Sequence, residues 1–403
     1  VALKSEPFHH SQISVLNVVV TIPEAHVGGA ERAGLRFGDA LATHVDVDTV
    51  MMEGSDDAEL FKDLGLTESV YPIPSYTVIR DGLNMLVDSS NNVWNTLIGT
   101  RLTPPKPLSE YDVVHIHNAV PLAGMTGVAL HCLFKRIPYC VTTHGISKIP
   151  KIPVELGLSR AQAVVFDLLF LRIYKSILSN ADHLFALSGR DERKLNEWFP
   201  GQSLSVLPNG VDPNESVGNK MAATDIGGSE KPLLLFVGRI MASKGIDDLL
   251  EAFECLNHDC RLILVGPMRD EHFREKITKL GEDVEYKGYI DQTTLDELYR
   301  MADLFVFPTR SDVFPLVTLE AMAAGTPVVS TTVGGLPEQV PKTVGKLAPP
   351  KQPQEFAEAV DELLSNETRR AEMGENALEL VKSSYSWDAV AREAIEQYQK
   401  ILE

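Results

Sequence analysis

Asp312 and Glu320, separated by seven residues in the stretch DVFPLVTLEAMAAG, follow the strand-like LFVFP and a short loop, and the stretch then turns helical. Pro315 suits a first helical position, because it lacks the amide hydrogen that would go unpaired there. Leu316, Val317 and Thr318 would then present free N–H groups, and such a helix start attracts phosphate. Glu320 lies about one turn further in, among Leu316, Val317, Leu319, Ala321 and Met322. An ionised carboxylate there is costly unless hydrogen-bonded, and a pair of ligand hydroxyls would satisfy it. Taken alone, a helical Glu is more often a solvated surface residue.

Two cations fall at the carboxyl end of another strand. Val237-Gly238-Arg239 closes it, and Met241-Ala242-Ser243-Lys244-Gly245 leads into a helix. Arg grips phosphate oxygens in pairs and Lys adds a compact charge, a combination suited to a leaving diphosphate. Two solvated basic side chains are the plain alternative. Near the start of the chain, His26-Val27-Gly28-Gly29-Ala30-Glu31 opens a helix after the first strand. Gly28 and Gly29 either allow a ligand close to the backbone or simply form a tight turn. The strands DVVHIH and YCVTT place His117 and His144 at neighbouring strand ends of one sheet. A lone histidine is more often packed than catalytic, but two together weaken that reading.

The elements that would position these residues recur in two series. Short β-rich runs alternate with helical stretches at Val15 to Ile22, Val45 to Met51, Val113 to Ile116, Tyr139 to Thr142 and His183 to Leu187. The rhythm resumes at Leu233 to Val237, Leu262 to Val265, Val284 to Tyr286, Leu304 to Phe307 and Pro327 to Ser330. Strands alternating with helices imply parallel sheets covered on both faces, with ligands at the carboxyl ends of the strands. The chain has 403 residues, more than one ordinary core holds. The expected organisation is an N-terminal domain over 1–207, a C-terminal domain over 208–384, and a helix over 385–403 packing back on the first. Residues 212 to 231 read as a surface loop near the boundary. Trp387, Val390, Ile395, Tyr398 and Ile401 can form one apolar stripe on the tail helix.

Composition narrows the class. The formal net charge is −19, with the acidic excess mostly in the second half. Such a chain repels nucleic acid while leaving room for a local basic pocket. Cys132, Cys140, Cys255 and Cys260 contain no CxxC pair and are expected as buried free thiols in a reducing compartment. Residues 1 to 12 lack the apolar core of a signal peptide. Ala161 to Leu171, interrupted by Asp167, is too short to span a membrane and suits a buried helix. Asp46-Val47-Asp48 imitates a metal-binding DxD but lies within a strand.

Taken together, GGAER at 28 to 32, DVVHIH at 112 to 117, THG at 143 to 145, ADHLFALS at 181 to 188, PNGVD at 208 to 212, VGRIMASKG at 237 to 245 and DVFPLVTLEAMAAG at 312 to 325 resemble the retaining glycosyltransferases of family 4. The resemblance runs from Gly28 to the Ser386-Trp387 tail. It implies the GT-B fold, an α/β architecture of two Rossmann-like, doubly wound parallel-sheet domains facing a central cleft. In that family the first carboxylate of the pair lies near the donor sugar and is usually Glu, whereas Asp312 is one methylene shorter. Glu320 matches the carboxylate near the nucleotide ribose.

By the same carry-over, Arg239 and Lys244 hold the diphosphate, His144 faces the reacting sugar, and with Asp312 they form the catalytic set. Gly28, Gly29, His117, Gly238 and Gly266 line the donor site, and Tyr289 and Ile290 lie beside the base. Phe314, Pro315, Leu316, Val317 and Thr318 complete it, Thr318 with its hydroxyl; Ser188 and Asn209 match edge positions. The implied reaction is hexosyl transfer with retention from a UDP- or GDP-sugar to a glycan, lipid-linked or small-molecule acceptor. Neither cofactor nor metal is expected, since Arg239 and Lys244 stand where a cation would be needed. A cytoplasmic enzyme touching a membrane surface fits the basic Lys148, Lys151, Arg160 and Arg172. The alternatives are an epimerase or phosphorylase on the same fold, or a silent subunit of a glycan-building complex.

Overall fold

A computed structural model describes residues 13–20, 29–52, 66, 70–73, 104–118, 122–145, 159, 160, 164, 171–213 and 231–403. The chain divides into two compact units: Val1–Leu207 with Val390–Glu403, and Pro208–Ala389. Gly28, Lys148 and Lys151, most of Ala161 to Leu171, and residues 214–230 of the interdomain loop lie outside the described residues.

The first unit is built on β1 (Ser14–Val20), β2 (Asp46–Met52), β3 (Val70–Ile73), β4 (Val113–Asn118), β5 (Tyr139–Thr143), β6 (His183–Ala186) and β7 (Leu204–Val206). All pair in parallel, in the order β3-β2-β1-β4-β5-β6-β7. Burial on both faces explains why β1 and β5 read as near-continuous apolar runs. The described helices are α1 (Gly29–Ala42), α2 (Leu122–Lys135), α3 (Arg172–Ser179) and α4 (Gly189–Trp198). Leu16, Val18, Ile116, Val128, Cys132, Tyr174 and Leu184 share one core with α2 and α3. Asp46 and Asp48 sit on β2, as their surroundings in the sequence suggested. Lys106 Nζ lies 2.6 Å from Asp46 and 3.5 Å from Asp48, and the Tyr111 hydroxyl donates to Asp48 at 2.8 Å. The Lys106 and Ser14 bonds hold the Asp46 carboxyl below its usual range.

The second unit has the parallel order β10-β9-β8-β11-β12-β13. Its strands are β8 (Leu233–Val237), β9 (Arg261–Val265), β10 (Val284–Gly288), β11 (Leu304–Phe307), β12 (Val328–Thr331) and β13 (Gly345–Ala348). Helices α5 (Ile246–Glu254), α6 (His272–Lys279), α7 (Gln292–Met301), α8 (Leu316–Ala323), α9 (Leu336–Gln339), α10 (Pro353–Leu364) and α11 (Glu367–Leu380) surround them. The last helix, α12 (Trp387–Leu402), begins in the second unit and continues in the first. The unit boundary therefore falls inside the tail helix, five residues later than the sequence suggests. Trp387 is the reason: a Cβ on Gly210 would come within 2.5 Å of its ring, and Val211 bridges Ser386 beside it. Val390, Ile395 and Tyr398 are buried within the first unit's portion of the helix. Cys132, Cys140 and Cys260 are buried free thiols, but Cys255, the C-cap of α5, is exposed.

Candidate active site

In the second unit the two cations and two carboxylates flagged by the sequence fall at the carboxyl ends of β8 and β11. Arg239 is exposed just beyond β8. Lys244 ends a single 3-10 turn, Ala242–Lys244, closed by Gly245 at φ 73°. A Cβ on Gly245 would sit 1.9 Å from the Pro308 carbonyl oxygen, so only glycine lets this turn press against the loop after β11. The contact delivers Lys244 to Asp312, with Nζ 2.6 and 2.8 Å from the two carboxylate oxygens. Both side chains are only 14 % exposed. The Thr309 hydroxyl donates to Asp312 Oδ2 at 2.5 Å. Arg310 locks the same loop by a forked pair to Asp248 on α5, at 2.7 and 2.5 Å.

The start of α8 differs from the sequence reading by one residue. Pro315 is its N-cap, with φ −67° and ψ 133°, rather than the first helical residue. The extended ψ follows from how three successive carbonyls are tied. Gly335 N–H donates to Val313 O at 2.6 Å, Asn209 Nδ2 to Phe314 O at 2.8 Å, and Gln339 Nε2 to Pro315 O at 2.9 Å. A trans peptide points its N–H opposite its C=O, so fastening these carbonyls aims the amides of Phe314 and Leu316 the other way. Amides set this way at a helix start suit an anion. Thr318 turns its hydroxyl inward. Its side chain is fully buried, the hydroxyl lying 2.8 Å from Pro315 O and 2.7 Å from Gln339 Oε1. The Phe314 ring is buried too, edge-on to Tyr385 at 5.8 Å. Leu316 and Val317 are half-buried.

Glu320 accepts a 2.8 Å hydrogen bond from the Tyr299 hydroxyl of α7. Burial and the Glu320 charge push the Tyr299 phenol well above its ordinary pKa, so it remains a donor. Gly238 and Gly266 close β8 and β9 with positive φ and meet directly, since a Cβ on Gly266 would lie 2.2 Å from Gly238 O. Tyr289 is 72 % exposed and Ile290 half-buried, after the Gly288 turn. Thr309, Arg310, Tyr299, Gln339 and Gly334 carried no local signal in the sequence. The last has φ 57°, and a Cβ there would come within 2.1 Å of Asp312 O. Gly334→Ala is expected to cost about 1–3 kcal/mol of stability and to weaken binding of the sugar donor. Thermal denaturation and donor KM check this.

In the first unit, His117 is the last residue but one of β4 and His144 follows β5. Their rings meet, with His117 Nδ1 3.3 Å from His144 Nε2. Burial lowers the His144 pKa to about 4 and holds that of His117 well below its ordinary value. Gly29, the first residue of α1, is exposed. Ser188 caps α4, accepting from Asp191 N–H at 3.3 Å. One further trio imitates a hydrolase: Ser365 Oγ lies 3.3 Å from His258 Nε2, and His258 Nδ1 2.6 Å from Asp361. The Ser365 hydroxyl donates instead to the Asp361 carbonyl, while the Asp361 carboxylate also receives the Asn257 and His258 amides. The trio is a clasp fastening the 257–258 turn to α10.

The family model for Glycosyl transferases group 1 matches residues 225–380, and that for Glycosyltransferase Family 4 matches residues 27–215. An uncharacterized glycosyltransferase of Methanocaldococcus jannaschii is 30% identical over 319 residues, covering 73% of this chain and 77% of the relative. The chain belongs to glycosyltransferase family 4. A D-inositol 3-phosphate glycosyltransferase of Catenulispora acidiphila is 31% identical over 327 residues, covering 73% of this chain and 71% of its own. Among solved structures, sucrose-phosphate synthase from Thermosynechococcus elongatus matches with a TM-score of 0.70 at 22% identity, over 97% of this chain and 99% of that one. HepE from Anabaena, in complex with UDP, matches with a TM-score of 0.71 at 18% identity, over 96% and 100%. The fold is GT-B and the protein is a glycosyltransferase. Nothing supports an epimerase, a phosphorylase or a silent subunit better. Among the described residues no helix is long and apolar enough to cross a membrane.

Proposed function

We propose that this glycosyltransferase moves a hexose from a UDP- or GDP-sugar to a glycan or lipid-linked acceptor, with retention at the anomeric carbon and without a metal. The observation that carries the reading is the Lys244–Asp312 pair beside the α8 start, whose carbonyls are fastened away from its amides. Lys244, Arg239 and those amides suit charge growing on a leaving diphosphate, and preset donors of this kind are the usual dominant catalytic contribution. Asp312 would orient the sugar hydroxyls and Glu320 the ribose, with Gly238, Gly266, Tyr289 and Ile290 lining the nucleotide. By the family resemblance His144 would face the reacting sugar. As the bond from the anomeric carbon to the diphosphate breaks, the acceptor oxygen forms its bond on the same face. Its proton passes to the departing phosphate oxygen, so no protein nucleophile is needed. Structural relatives with UDP and with UDP-glucose support a nucleoside diphosphate sugar as donor.

Metal independence is supported by the engagement of Asp46 and Asp48 with Lys106 and Tyr111. Thermal denaturation with UDP, GDP, ADP and their sugars, with and without EDTA, tests the proposal. UDP or GDP is expected to stabilise the protein by about 2.7 kcal/mol at a hundredfold excess over Kd, EDTA changing nothing. Stabilisation by none of them, or activity abolished by EDTA, would overturn it.

A cytoplasmic protein touching an anionic membrane surface completes the reading. Leu130, Leu133 and Phe134 of α2 are exposed, Phe134 by 83 %, beside Lys135 and Arg136. The packed neighbour α3 adds exposed Ile173 and Arg172 with half-buried Lys175, and neither helix carries an acidic residue. On a chain of charge −19 this apolar, basic face complements anionic headgroups. The protein is expected to float with vesicles of phosphatidylcholine and phosphatidylglycerol but not phosphatidylcholine alone, and Phe134→Ser with Lys135→Glu to abolish flotation.

A further inference from the structure

His117 is packed among aromatic rings and helix α1 of the first unit. Its ring stacks on His115 at 4.5 Å and 12°, with the Phe37 ring 5.0 Å away. Gly34 of α1 leaves room for it: a Cβ there would lie 3.1 Å from His117. His115 is itself pinned, Nδ1 to the Tyr398 hydroxyl at 2.5 Å and Nε2 to Thr142 Oγ1 at 2.6 Å. Among the described residues, one polar contact leaves the His117 ring toward another side chain, the 3.3 Å approach of Nδ1 to His144 Nε2.

The other nitrogen decides the direction of that bond. His117 is 4 % exposed, and its Nε2 is buried with no hydrogen-bond partner among the described residues. An orphaned buried N–H is rarer than an under-satisfied acceptor, so the cheaper arrangement leaves Nε2 as a bare lone pair. The proton of neutral His117 then sits on Nδ1 and is donated to His144 Nε2. Neutral His144, accepting at Nε2, must carry its own proton on Nδ1. Burial keeps both rings neutral near pH 7.

We propose that His117 is a positioning residue that locks His144 as its Nδ1–H tautomer, so that His144 offers the sugar a neutral hydrogen-bond donor rather than a base or a cation. The inference rests on the reading of His144 as the residue at the reacting sugar. The lock itself does not depend on that reading, because a tautomer can be observed without catalysis.

The test uses the full chain with isotope-labelled histidine rings, His144 being assigned by the signals lost in His144→Gln. Ring-nitrogen NMR is expected to show His144 protonated at Nδ1 and bare at Nε2. In His117→Phe the preference is expected to disappear and kcat to fall about tenfold, one neutral hydrogen bond's worth, with donor KM changed far less. His117→Asn, whose amide can donate from nearly the Nδ1 position, is expected to restore both. An Nε2-protonated His144 in the natural protein, or an unchanged tautomer in His117→Phe, would overturn the lock. A changed tautomer with unchanged transfer would keep the lock and overturn the role of His144 at the sugar. Should His117→Phe not fold, the natural spectrum and His117→Asn decide the matter.

Discussion

Lys244→Ala is expected to lower kcat/KM by about 10²–10³-fold, the usual loss when one preset electrostatic contact to developing charge is removed. The loss should fall mainly in kcat, because charge on the leaving phosphate grows as the glycosidic bond breaks. A second effect follows from the pairing with Asp312, since both side chains are 14 % exposed. Removing the cation leaves a largely desolvated carboxylate with the Thr309 hydroxyl. The expected cost is about 2–4 kcal/mol, somewhat less than for a fully buried pair. Replacing both partners, as in Lys244→Met with Asp312→Leu, should recover the thermal midpoint without recovering transfer. Near-normal kinetics in Lys244→Ala would remove the residue from the mechanism. A double variant that regains activity would mean that the pair serves only the fold.

Glu320→Ala should reduce kcat/KM by about 10–10²-fold, consistent with losing charge-assisted hydrogen bonds of 1.5–3 kcal/mol to the ribose. Here the effect belongs in donor KM, because the ribose contact is the same before and during bond breaking. The structure adds a stability cost. Tyr299 is 1 % exposed and would lose the acceptor for its hydroxyl, an expected penalty of about 1–3 kcal/mol. Tyr299→Phe separates the two effects, because it leaves Glu320 in place while releasing one oxygen. A donor KM unchanged in Glu320→Ala would refute the ribose assignment even if the protein melts earlier.

Legibility of the fold varied with position in the sheets. The ten strands read from apolar runs include every interior strand, whose burial on both faces writes a continuous signal. Among the described residues three strands escaped, β3, β7 and β13, and all are sheet edges. Their sequences, VYPI, LSV and GKLA, are short and carry Pro, Ser or Lys, as strands with one unpaired side can. The start of α8 was misplaced by one residue for a related reason. Pro315 is compatible with either position by local rules, and the choice came from Asn209 and Gln339 reaching in from elsewhere.

The sequence by itself determined the two βα series, the cations and carboxylates at strand ends, and the family. Each is a pattern within a few dozen residues, where periodicity and residue chemistry act directly. Tertiary structure alone decided the partners. Lys244 meets Asp312 across 68 positions, and Asn209 meets Phe314 across 105. It turned Thr318 inward, and it joined His117 to His144. Hydrogen bonds and ion pairs act over about 3 Å, so such choices depend on how distant segments are brought together, which no local pattern records.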